Sequence, residues 1–504
     1  MKRIFIFLVL SCFLFASCKK SGFEAPEEKP LITSDLTGID VKEGMTLVGI
    51  VTNSETGLPM EGVVVSDGYT STVTDVKGVY QLVRNKDARF VFCSIPANCE
   101  VEVKNSLPEF YGDIYTFYDI FRKDFKLKLL SGGVENRFTL ICLADPQVKT
   151  MTDYSRCESE TMVDIRQEAE KHSVCYGVTL GDVVFDTPDM MGPMKRLIAY
   201  GPVKFFYTIG NHDHYQEKSN DAEARANFET NFGPTNYSIN RGSAHIVVMD
   251  NIIYTGKQEY STGFSDAQIN WLKSDLNYVS KDKLIILCVH IPLRNQSAVS
   301  RLADIYGALK PYKEVHVMSG HTHYHQNFIM TDPSIYEHIH GAACGTWWTG
   351  TVNGDGAPNG YGVYEIEGNH IKNWYYKATN YPKEYQARMY APYTFGDIAG
   401  YVIANVWNAD PEWKVELYEN GVKTGDMQQF TDYDKCAYQY FKSLGKAEPD
   451  TPDGTTTWYR RPDHLYRLKP VDPSSSLTIR MTDRFGNVYT QAKITTLYDE
   501  LKQY

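Results

Sequence analysis

Apolar residues follow three different patterns along this chain, each in its own stretch of sequence. Between about residues 47 and 83, short apolar and polar alternations are punctuated by turns such as Lys77-Gly78, which is typical of β-strands. From about residue 136, short continuous apolar runs alternate with helical stretches, which predicts buried parallel strands. After about residue 390 short strands return, with a hairpin predicted at Asn420-Gly421.

These patterns predict an α/β fold in which a central α/β-sandwich domain is flanked by β-sandwich domains. The clearest helix of the central domain is predicted in "FSDAQINWLKSDLNYVS", where Ser265 is a candidate N-cap. Ile269, Leu272 and Leu276 lie on one face of that helix. The N-terminal stretch "LVGIVTNSETGLPMEGVVVSDGYTSTVTDVKGVYQLV" resembles the prealbumin-like, carboxypeptidase regulatory-like β-sandwich of secreted proteins, and nothing in it looks catalytic. The predicted domains are 45–130 for the N-terminal β-sandwich, 136–380 for the central domain and 390–504 for the C-terminal β-rich domain, interrupted by "KAEPDTPDGTTT".

The first twenty residues, "MKRIFIFLVLSCFLFASCKK", have the pattern of an export signal. Two basic residues precede an apolar run over residues 4–15, which is shorter than the roughly 20 residues that span a bilayer. The ending "FASC" resembles the lipobox of bacterial lipoproteins, which implies cleavage after residue 17 and lipidation of Cys18. Residues 18–44 are then a polar linker, and an uncleaved signal anchor is the alternative.

Composition narrows the classes of function. The 504 residues carry a net charge of −11 and no strongly basic stretch, so we expect no nucleic-acid-binding surface. Cys142, Cys175 and Cys288 lie in apolar runs and are expected to be buried small hydrophobic residues. Cys93 and Cys99 are close enough in sequence for a local disulfide in an oxidising compartment, and the sequence leaves that pairing open.

Five apolar segments of the central region end in side chains that can bind metal ions. They are "RFTLICLADPQ" with Asp145 and Gln147, "CYGVTLGD" with Asp182, "VKFFYTIGNHDHY" with Asn211, His212, Asp213 and His214, "KLIILCVHIP" with His290, and "VHVMSGHTHYH" with His321, His323 and His325. The carboxyl ends of buried strands gather at one edge of an α/β sheet, so these side chains are expected to converge. Gly181, Gly210 and Gly320 are expected to allow sharp turns beside them. The oxygen and imidazole donors exceed what one tetrahedral zinc uses, and no cysteine joins them, which favours two metal ions.

The five blocks, in this order, resemble the signature of the calcineurin-like metallophosphoesterases, from about residue 140 to 323. The resemblance implies that Asp182 bridges two metals and that His212 stands over the scissile phosphate as an acid or electrostatic stabiliser. His325 lies beyond the motif and is expected to be a rim or structural histidine. The implied ligands are Asp145, Asp182 and His323 for the first metal, and Asp182, Asn211, His290 and His321 for the second.

The chain departs from the family pattern at two positions. Gln147 stands where the family usually has histidine, and an amide oxygen is a weaker donor, so we predict a looser first metal site. Asp186 in "GDVVFD" is one residue later than the aspartate that often orients the catalytic histidine, which leaves its role open. Trp347 and Trp348 in a glycine-rich loop are candidates to line the substrate cleft, and a buried aromatic pair under a turn is the alternative.

The predicted function is that of a dinuclear-metal hydrolase that cleaves a phosphomonoester or phosphodiester by attack of metal-activated hydroxide. The expected cofactors are two divalent ions (Mn, Fe or Zn), and the expected partners are a phosphoester substrate and, through the lipid anchor, a membrane. The expected location is the envelope of a bacterium, facing the periplasm or the cell surface. The alternative is a non-catalytic metal-binding or surface-binding lipoprotein that retains the fold, although His212 speaks against it because its expected role is chemical.

Overall fold

The computed structural model of the protein describes residues 31–294, 299–394, 399–446 and 458–496. The predicted signal peptide, Cys18 and residues 447–457 of the polar C-terminal loop lie outside the described residues. Within the ranges that are described, no helix has the length and apolar character needed to cross a membrane.

The N-terminal region consists of short strands in two four-stranded sheets and one small hairpin. The strands are β1 (Leu47–Asn53), β2 (Val64–Ser66), β3 (Ser71–Val73), β4 (Val79–Leu82), β5 (Phe90–Cys93), β6 (Val103–Lys104), β7 (Leu107–Pro108), β8 (Tyr111–Asp113), β9 (Phe121–Arg122) and β10 (Phe125–Leu127). One sheet has the order β10-β1-β4 with β9 also on β1, and the other has the order β3-β2-β5-β8. Side chains of both sheets, such as Val51 and Val65, share a core that continues into the central domain, where Phe92 contacts Trp271 edge to face.

The central domain is a sandwich of two mixed sheets with helices around it. Its strands are β11 (Arg137–Leu143), β12 (Cys175–Leu180), β13 (Lys204–Thr208), β14 (Tyr237–Arg241), β15 (Ala244–Val248), β16 (Ile252–Gly256), β17 (Glu259–Thr262), β18 (Leu284–Cys288), β19 (Glu314–Ser319), β20 (Gln326–Thr331), β21 (Ser334–Ile339), β22 (Gly360–Glu367) and β23 (His370–Ala378). Its helices are α1 (Met151–Arg156), α2 (Val163–Ala169), α3 (Met191–Ala199), α4 (Asp221–Phe232), α5 (Asp266–Leu276) and α6 (Leu302–Leu309), with a π-helical turn at Cys157–Met162.

The two central sheets have the orders β13-β12-β11-β22-β23 and β14-β15-β18-β19-β21-β20. Strands β11, β12 and β13 are parallel neighbours in the first sheet, and β15, β18, β19 and β21 are parallel neighbours in the second. On β11, Leu140 and Cys142 face the core between the sheets, whereas Ile141 and Leu143 face the core formed with the helices. Both faces of the first sheet are therefore buried, which explains the continuous apolar runs.

The described residues of the C-terminal region form two antiparallel four-stranded sheets and one helix. Its elements are β24 (Arg388–Tyr390), β25 (Val402–Asn405), β26 (Lys414–Glu419), β27 (Val422–Asp426), β28 (Gln428–Phe430), α7 (Lys435–Ser443), β29 (Leu465–Leu468), β30 (Leu477–Thr482) and β31 (Val488–Gln491). The sheets have the orders β24-β25-β29-β28 and β27-β26-β30-β31 and share one core that includes Ala404 and Leu417. The helix α7 has no counterpart in the sequence prediction, and its buried residues include Cys436 and Tyr440.

Several local predictions can be compared with these elements. Helix α5 begins after the N-cap Ser265, which forms a capping box with Gln268, and its predicted apolar face is buried. The predicted turn at Asn420-Gly421 joins β26 to β27, with φ angles of 50° and 81° that suit a tight hairpin.

The structure settles the cysteine pairing that the sequence left open and corrects one prediction, for Cys175. Cys93 and Cys99 are free thiols, so the disulfide that the sequence left open is not formed. Both side chains are buried in the apolar core and pack there as small hydrophobic groups, and burial raises the pKa of Cys99 to about 11. Cys142 and Cys288 are buried as predicted, whereas Cys175, at the start of β12, is only partly buried.

Candidate active site

The predicted metal-binding side chains follow the carboxyl ends of five strands, and the structure brings them together around Asp182. The strands do not share one sheet edge as predicted, because β11, β12 and β13 belong to the first central sheet and β18 and β19 to the second. The Asp182 carboxylate accepts hydrogen bonds of 2.8 Å from the His212 backbone N–H at Oδ1 and of 2.8 Å from Gln147 Nε2 at Oδ2. Its Oδ2 also lies 3.3 Å from His290 Nε2. Asp182 thus contacts residues from three other strand ends, which is the central position that the family resemblance implies.

Hydrogen bonds to the backbone determine which ring nitrogen of two histidines points into the cluster. His290 Nδ1–H donates to the Leu180 carbonyl at 2.7 Å, and His323 Nδ1–H donates to the Gly345 carbonyl at 2.9 Å. Since a carbonyl oxygen can only accept, Nε2 of each neutral ring keeps its lone pair for a ligand. This arrangement is the usual way in which a protein orients a metal-binding imidazole.

Asn211 Oδ1 lies between two of the predicted ligands. It is 3.0 Å from His290 Nε2 and 2.9 Å from His321 Nδ1. The carboxylate and imidazole atoms of Asp182, His290 and His321 lie within 4.8 Å of one another, a spacing that one cation can bridge. These four residues are the ligands that the resemblance implies for the second metal.

The surroundings of the Asp145 carboxylate show whether a cation fits the first metal position. Its Oδ2 accepts a hydrogen bond of 2.8 Å from the His321 backbone N–H, but the buried Oδ1 has no hydrogen-bond partner among the described residues. Burial raises the pKa of Asp145 to about 8, and repulsion by Asp182 adds to this. His323 Nε2 lies 3.6 Å from the Oδ1 that lacks a partner. A buried carboxylate oxygen facing an imidazole lone pair is stabilised by a cation between them, so the residues fit a metal site.

Burial and charge interactions set the protonation states of the cluster. Burial opposes charge on Asp182, but attraction to His290 and His212 outweighs burial and lowers the pKa of this carboxyl well below its usual range. Burial likewise opposes charge on His290, yet Asp182 outweighs it and raises the pKa of His290 to about 9. Burial lowers the pKa of His321 to about 3 and that of His323 to about 4, so both rings are neutral near pH 7. The ionised Asp182 and the neutral His321 and His323 are in the protonation state that a divalent cation requires, whereas His290 has to release a proton when the cation binds.

The backbone of the cluster is strained at the predicted ligands. Positive φ angles of 49°, 42°, 52°, 69° and 55° occur at Asp145, Gln147, Asp182, His321 and His323. Such angles are costly for residues other than glycine and persist where the surrounding structure enforces them, often at functional sites.

The three glycines beside the cluster are needed for two different physical reasons. Only Gly181 has a positive φ, of 87°. Gly210 and Gly320 are needed for space, because a Cβ atom would lie 2.1 Å from the Asp182 nitrogen and 2.3 Å from Asp145 Oδ2, respectively. The predicted turns at Gly210 and Gly320 are present, because their carbonyls accept hydrogen bonds from the N–H groups of Asp213 and Thr322, but glycine is needed there for space and not for a positive φ.

The role of Asp186, which the sequence left open, is visible in the structure. His212 Nδ1 lies 2.8 Å from Asp186 Oδ1, and the two side chains are 23% and 30% exposed. The ring of His212 also stacks on Phe185 at 4.2 Å between centroids. Burial opposes protonation of His212, but Asp182 and Asp186 outweigh it and raise its pKa. Asp186 therefore orients the partly exposed imidazole despite its shifted position in the sequence.

Gln147 makes a contact that a metal-binding histidine would not make. Its Nε2 donates to Asp182, and its Oε1 faces the thiol of Cys344, with Sγ at 4.0 Å. Cys344 was missed by the sequence analysis, and its Sγ also lies 4.0 Å from His323 Nδ1. Burial raises the pKa of Cys344 well above its usual value, so the sulfur stays protonated. The role of Gln147 as a weak metal ligand stays a prediction.

The two neighbouring tryptophans occupy different environments. Trp347 is partly buried and packs against the ligand candidate His323, with ring centroids 5.2 Å apart, and against Trp458 of the C-terminal region. Trp348 is only 6% exposed, and its Nε1–H donates to the Pro146 carbonyl at 2.9 Å. Trp348 thus lies under the turn, as the alternative interpretation expects, while a substrate-binding role of Trp347 stays a prediction.

The remaining residues of the motifs have structural positions. His325 is buried outside the cluster, with Nε2 3.1 Å from Asn408 Oδ1, so it is structural and not a rim residue. The Asp213 carboxylate accepts hydrogen bonds from the backbone N–H groups of Val183, Val184 and Gly210. It holds the loops after β12 and β13 together and so positions Asp182 and its neighbours.

The family assignment follows from three sequence models that match in succession. The model of the N terminal of calcineurin-like phosphoesterase matches residues 45–130, the calcineurin-like phosphoesterase model matches 138–325, and the model of the C terminal matches 337–489. The chain belongs to the calcineurin-like phosphoesterases. This family supports a hydrolase acting on phosphoesters and implies dependence on metal. No curated protein is a significant match to this chain.

The solved structures that match this chain do so with low identity and low TM-scores. A purple acid phosphatase from yellow lupin (Lupinus luteus) is 12% identical with a TM-score of 0.35, and the match covers 55% of this chain and 52% of that protein. The chain thus spans about half of the length of that phosphatase. PhoD is 9% identical, with a TM-score of 0.35 and 89% of each chain covered. Phosphopantetheinyl hydrolase from Mycobacterium tuberculosis is 14% identical, with a TM-score of 0.24, 42% of this chain and 91% of that chain covered.

Proposed function

We propose that this protein is a dinuclear-metal phosphoesterase. Donors from five strand ends converge around Asp182, next to an Asp145 oxygen that has no hydrogen-bond partner among the described residues. This convergence is the observation that carries the proposal. The proposed ligands are Asp145, Asp182 and His323 for one metal, with Gln147 as a weaker donor, and Asp182, Asn211, His290 and His321 for the other.

The chemistry combines metal charge with groups of the chain. When bound, a pair of divalent ions supplies Lewis-acid charge to the phosphoryl oxygens and lowers the pKa of water, which makes a nucleophile available at neutral pH. Asp182 contributes negative charge between the two positions, and His290 and His323 present Nε2 because their Nδ1–H groups are engaged with carbonyls. The ligand loops hold these groups before substrate binds, which limits the reorganisation that the reaction needs.

His212 is the proposed acid for the leaving group. Its Nδ1 is engaged with Asp186, so Nε2 carries the transferable proton. Asp182 and Asp186 raise the pKa of His212 and so favour the protonated ring, and the side chain remains accessible to substrate. Proton transfer from Nε2 to the leaving oxygen would remove the cost of expelling an alkoxide.

The proposal includes export and lipid anchoring at Cys18, in the envelope of a bacterium. The basic start, the apolar run and the "FASC" ending support this part. The substrate is then a phosphoester outside the cytoplasm, reached by a protein held at a membrane.

A substrate panel tests the function. Bis-p-nitrophenyl phosphate, p-nitrophenyl phosphate and a phospholipid are incubated with the full chain and Mn²⁺, and product release is measured. We expect wild-type protein to hydrolyse at least one ester, and the rate to fall about 10² to 10⁴-fold in His212→Asn. His370→Asn is the control and should leave the rate unchanged, because His370 is 53% exposed on β23 and bonded to Glu314. Wild-type protein that binds metal but hydrolyses none of the esters would instead favour a non-catalytic binding lipoprotein.

A further inference from the structure

A second cluster of metal-binding side chains lies beside the catalytic donors and includes none of them. His214 follows the turn after β13, Asp221 is the first residue of α4, and Asp250 precedes β16. One ligand atom of each residue lies within 4.8 Å of the others. The sequence places these residues up to 36 positions apart, so only the fold brings them together.

The orientation of His214 points to a cation. Its Nδ1–H donates to the Gly210 carbonyl at 2.9 Å, so Nε2 of the neutral ring carries a lone pair. The His214 side chain is completely buried, and Nε2 has no hydrogen-bond partner among the described residues. This nitrogen lies 3.9 Å from Asp221 Oδ1, too far for a hydrogen bond but suited to a shared ion. A backbone carbonyl behind an imidazole is also how His290 and His323 are oriented toward the catalytic cluster.

The two carboxylates keep oxygens available on the same side. Arg225 pairs with Asp221 at Oδ2, while Oδ1, within the described part of the chain, accepts only a long hydrogen bond of 3.2 Å from the Tyr254 backbone. Asp250 is 4% exposed, and its Oδ1 accepts a hydrogen bond of 2.9 Å from the Ile252 backbone. A buried imidazole lone pair that faces two carboxylates is unfavourable unless a positive charge lies between them.

We propose that His214, Asp221 and Asp250 bind a divalent transition-metal ion, separate from the catalytic pair. One imidazole and two carboxylates suit Mn²⁺, Fe²⁺ or Zn²⁺ better than Mg²⁺ or Ca²⁺, which prefer oxygen alone. A cavity of about 440 Å³, between the N-terminal and central domains, is lined by Asp221 and Asp250 and provides both a path for the ion and room for water ligands.

The ion would connect segments that hold the active site. His214 lies two residues after the proposed acid His212, on the same turn. Next to Asp250, the Asn251 side chain bonds both the N–H and the carbonyl of Ile291, which follows His290. A metal at this place therefore ties the loop of His212 to the loop of His290 and has a positioning role.

Metal analysis of variants of the full chain tests the proposal. Protein is stripped with chelator and dialysed against Mn²⁺, and bound Mn is counted by elemental analysis in the Asp182→Asn background, which removes the bridging ligand of the catalytic pair. We expect one remaining equivalent in that background and none after addition of Asp250→Asn, with an affinity loss of more than about tenfold. Glu223→Gln, which removes an exposed charge from the same first turn of α4, is the matched control and should keep the ion.

Crystals of wild-type protein grown with Mn²⁺ locate the ion independently of activity and of the catalytic assignment. We expect an anomalous peak between His214 Nε2 and the two carboxylates. His214→Gln provides a second variant, and circular dichroism establishes that each variant is folded. No peak at this place, or equal Mn content with and without Asp250→Asn, would overturn the proposal in favour of a proton held between His214 and Asp250. Loss of the ion in Glu223→Gln as well would indicate unspecific binding and would also overturn it.

Discussion

Asp186→Asn is the substitution that best separates positioning from metal binding. The variant keeps an oxygen that accepts a hydrogen bond from His212 Nδ1, but removes the negative charge 2.8 Å away. Hydrogen bonds with a charged partner contribute about 1.5–3 kcal/mol, and the 23% and 30% exposure of the two side chains favours the lower end because water competes. A loss of about 1.5 kcal/mol corresponds to a fall of about tenfold in kcat.

The direction of the His212 pKa shift predicts how the pH profile of the rate changes in Asp186→Asn. Burial opposes protonation of His212, and Asp182 and Asp186 together raise its pKa above the ordinary value. If protonated His212 is the acid, activity falls as the pH rises through that pKa. Removing the Asp186 charge lowers the pKa, so the alkaline limb of the rate profile should move to lower pH in Asp186→Asn.

The assay is kcat against pH with the best ester of the panel, with bound metal measured in parallel. His212→Asn is the reference, and the double variant should lose no more activity than His212→Asn alone, because Asp186 acts through His212. An unchanged rate and profile would refute the role given to Asp186. Full additivity of the two losses, or a loss of metal in Asp186→Asn, would refute it as well.

Three further predictions concern the metals and the anchor. Asp182→Asn should abolish hydrolysis and lower bound metal at both catalytic positions together, because a bridging anion is lost; full activity with two catalytic ions retained would contradict the assignment. Gln147→His should tighten the first metal site, measured by Mn²⁺ titration of binding and rate, if residue 147 is a ligand. Unchanged affinity with lower turnover would show instead that the amide acts through Asp182, to which it donates. Cys18→Ala should move the protein from the membrane to the soluble fraction, and continued extraction only with detergent would favour an uncleaved signal anchor.

The sequence by itself determined the order of the catalytic groups and several local elements. Each predicted ligand follows an apolar run that forms a buried strand, and parallel neighbours end at the same sheet edge, so convergence within each sheet could be inferred. The packing of the two sheets, which places His290 of one beside Asp182 of the other, required the tertiary structure. Helix α5 was predictable because the cap at Ser265 and the spacing of its apolar residues are local signals. The hairpin at Asn420-Gly421 was predictable for the same reason, since both residues tolerate positive φ.

Only the tertiary structure decided how side chains outside these local patterns act. Asp186 reaches His212 because its backbone N–H bonds the His212 carbonyl at 3.1 Å and its own φ is 53°, a local geometry that motif spacing does not encode. Trp347 and Trp348 are adjacent in sequence, yet Trp347 packs against His323 whereas Trp348 lies under the turn and donates to Pro146. Cys344 and the cluster of His214 with Asp221 and Asp250 depend on contacts between distant segments. Periodicity and capping report interactions over a few residues, whereas these contacts depend on how whole elements pack.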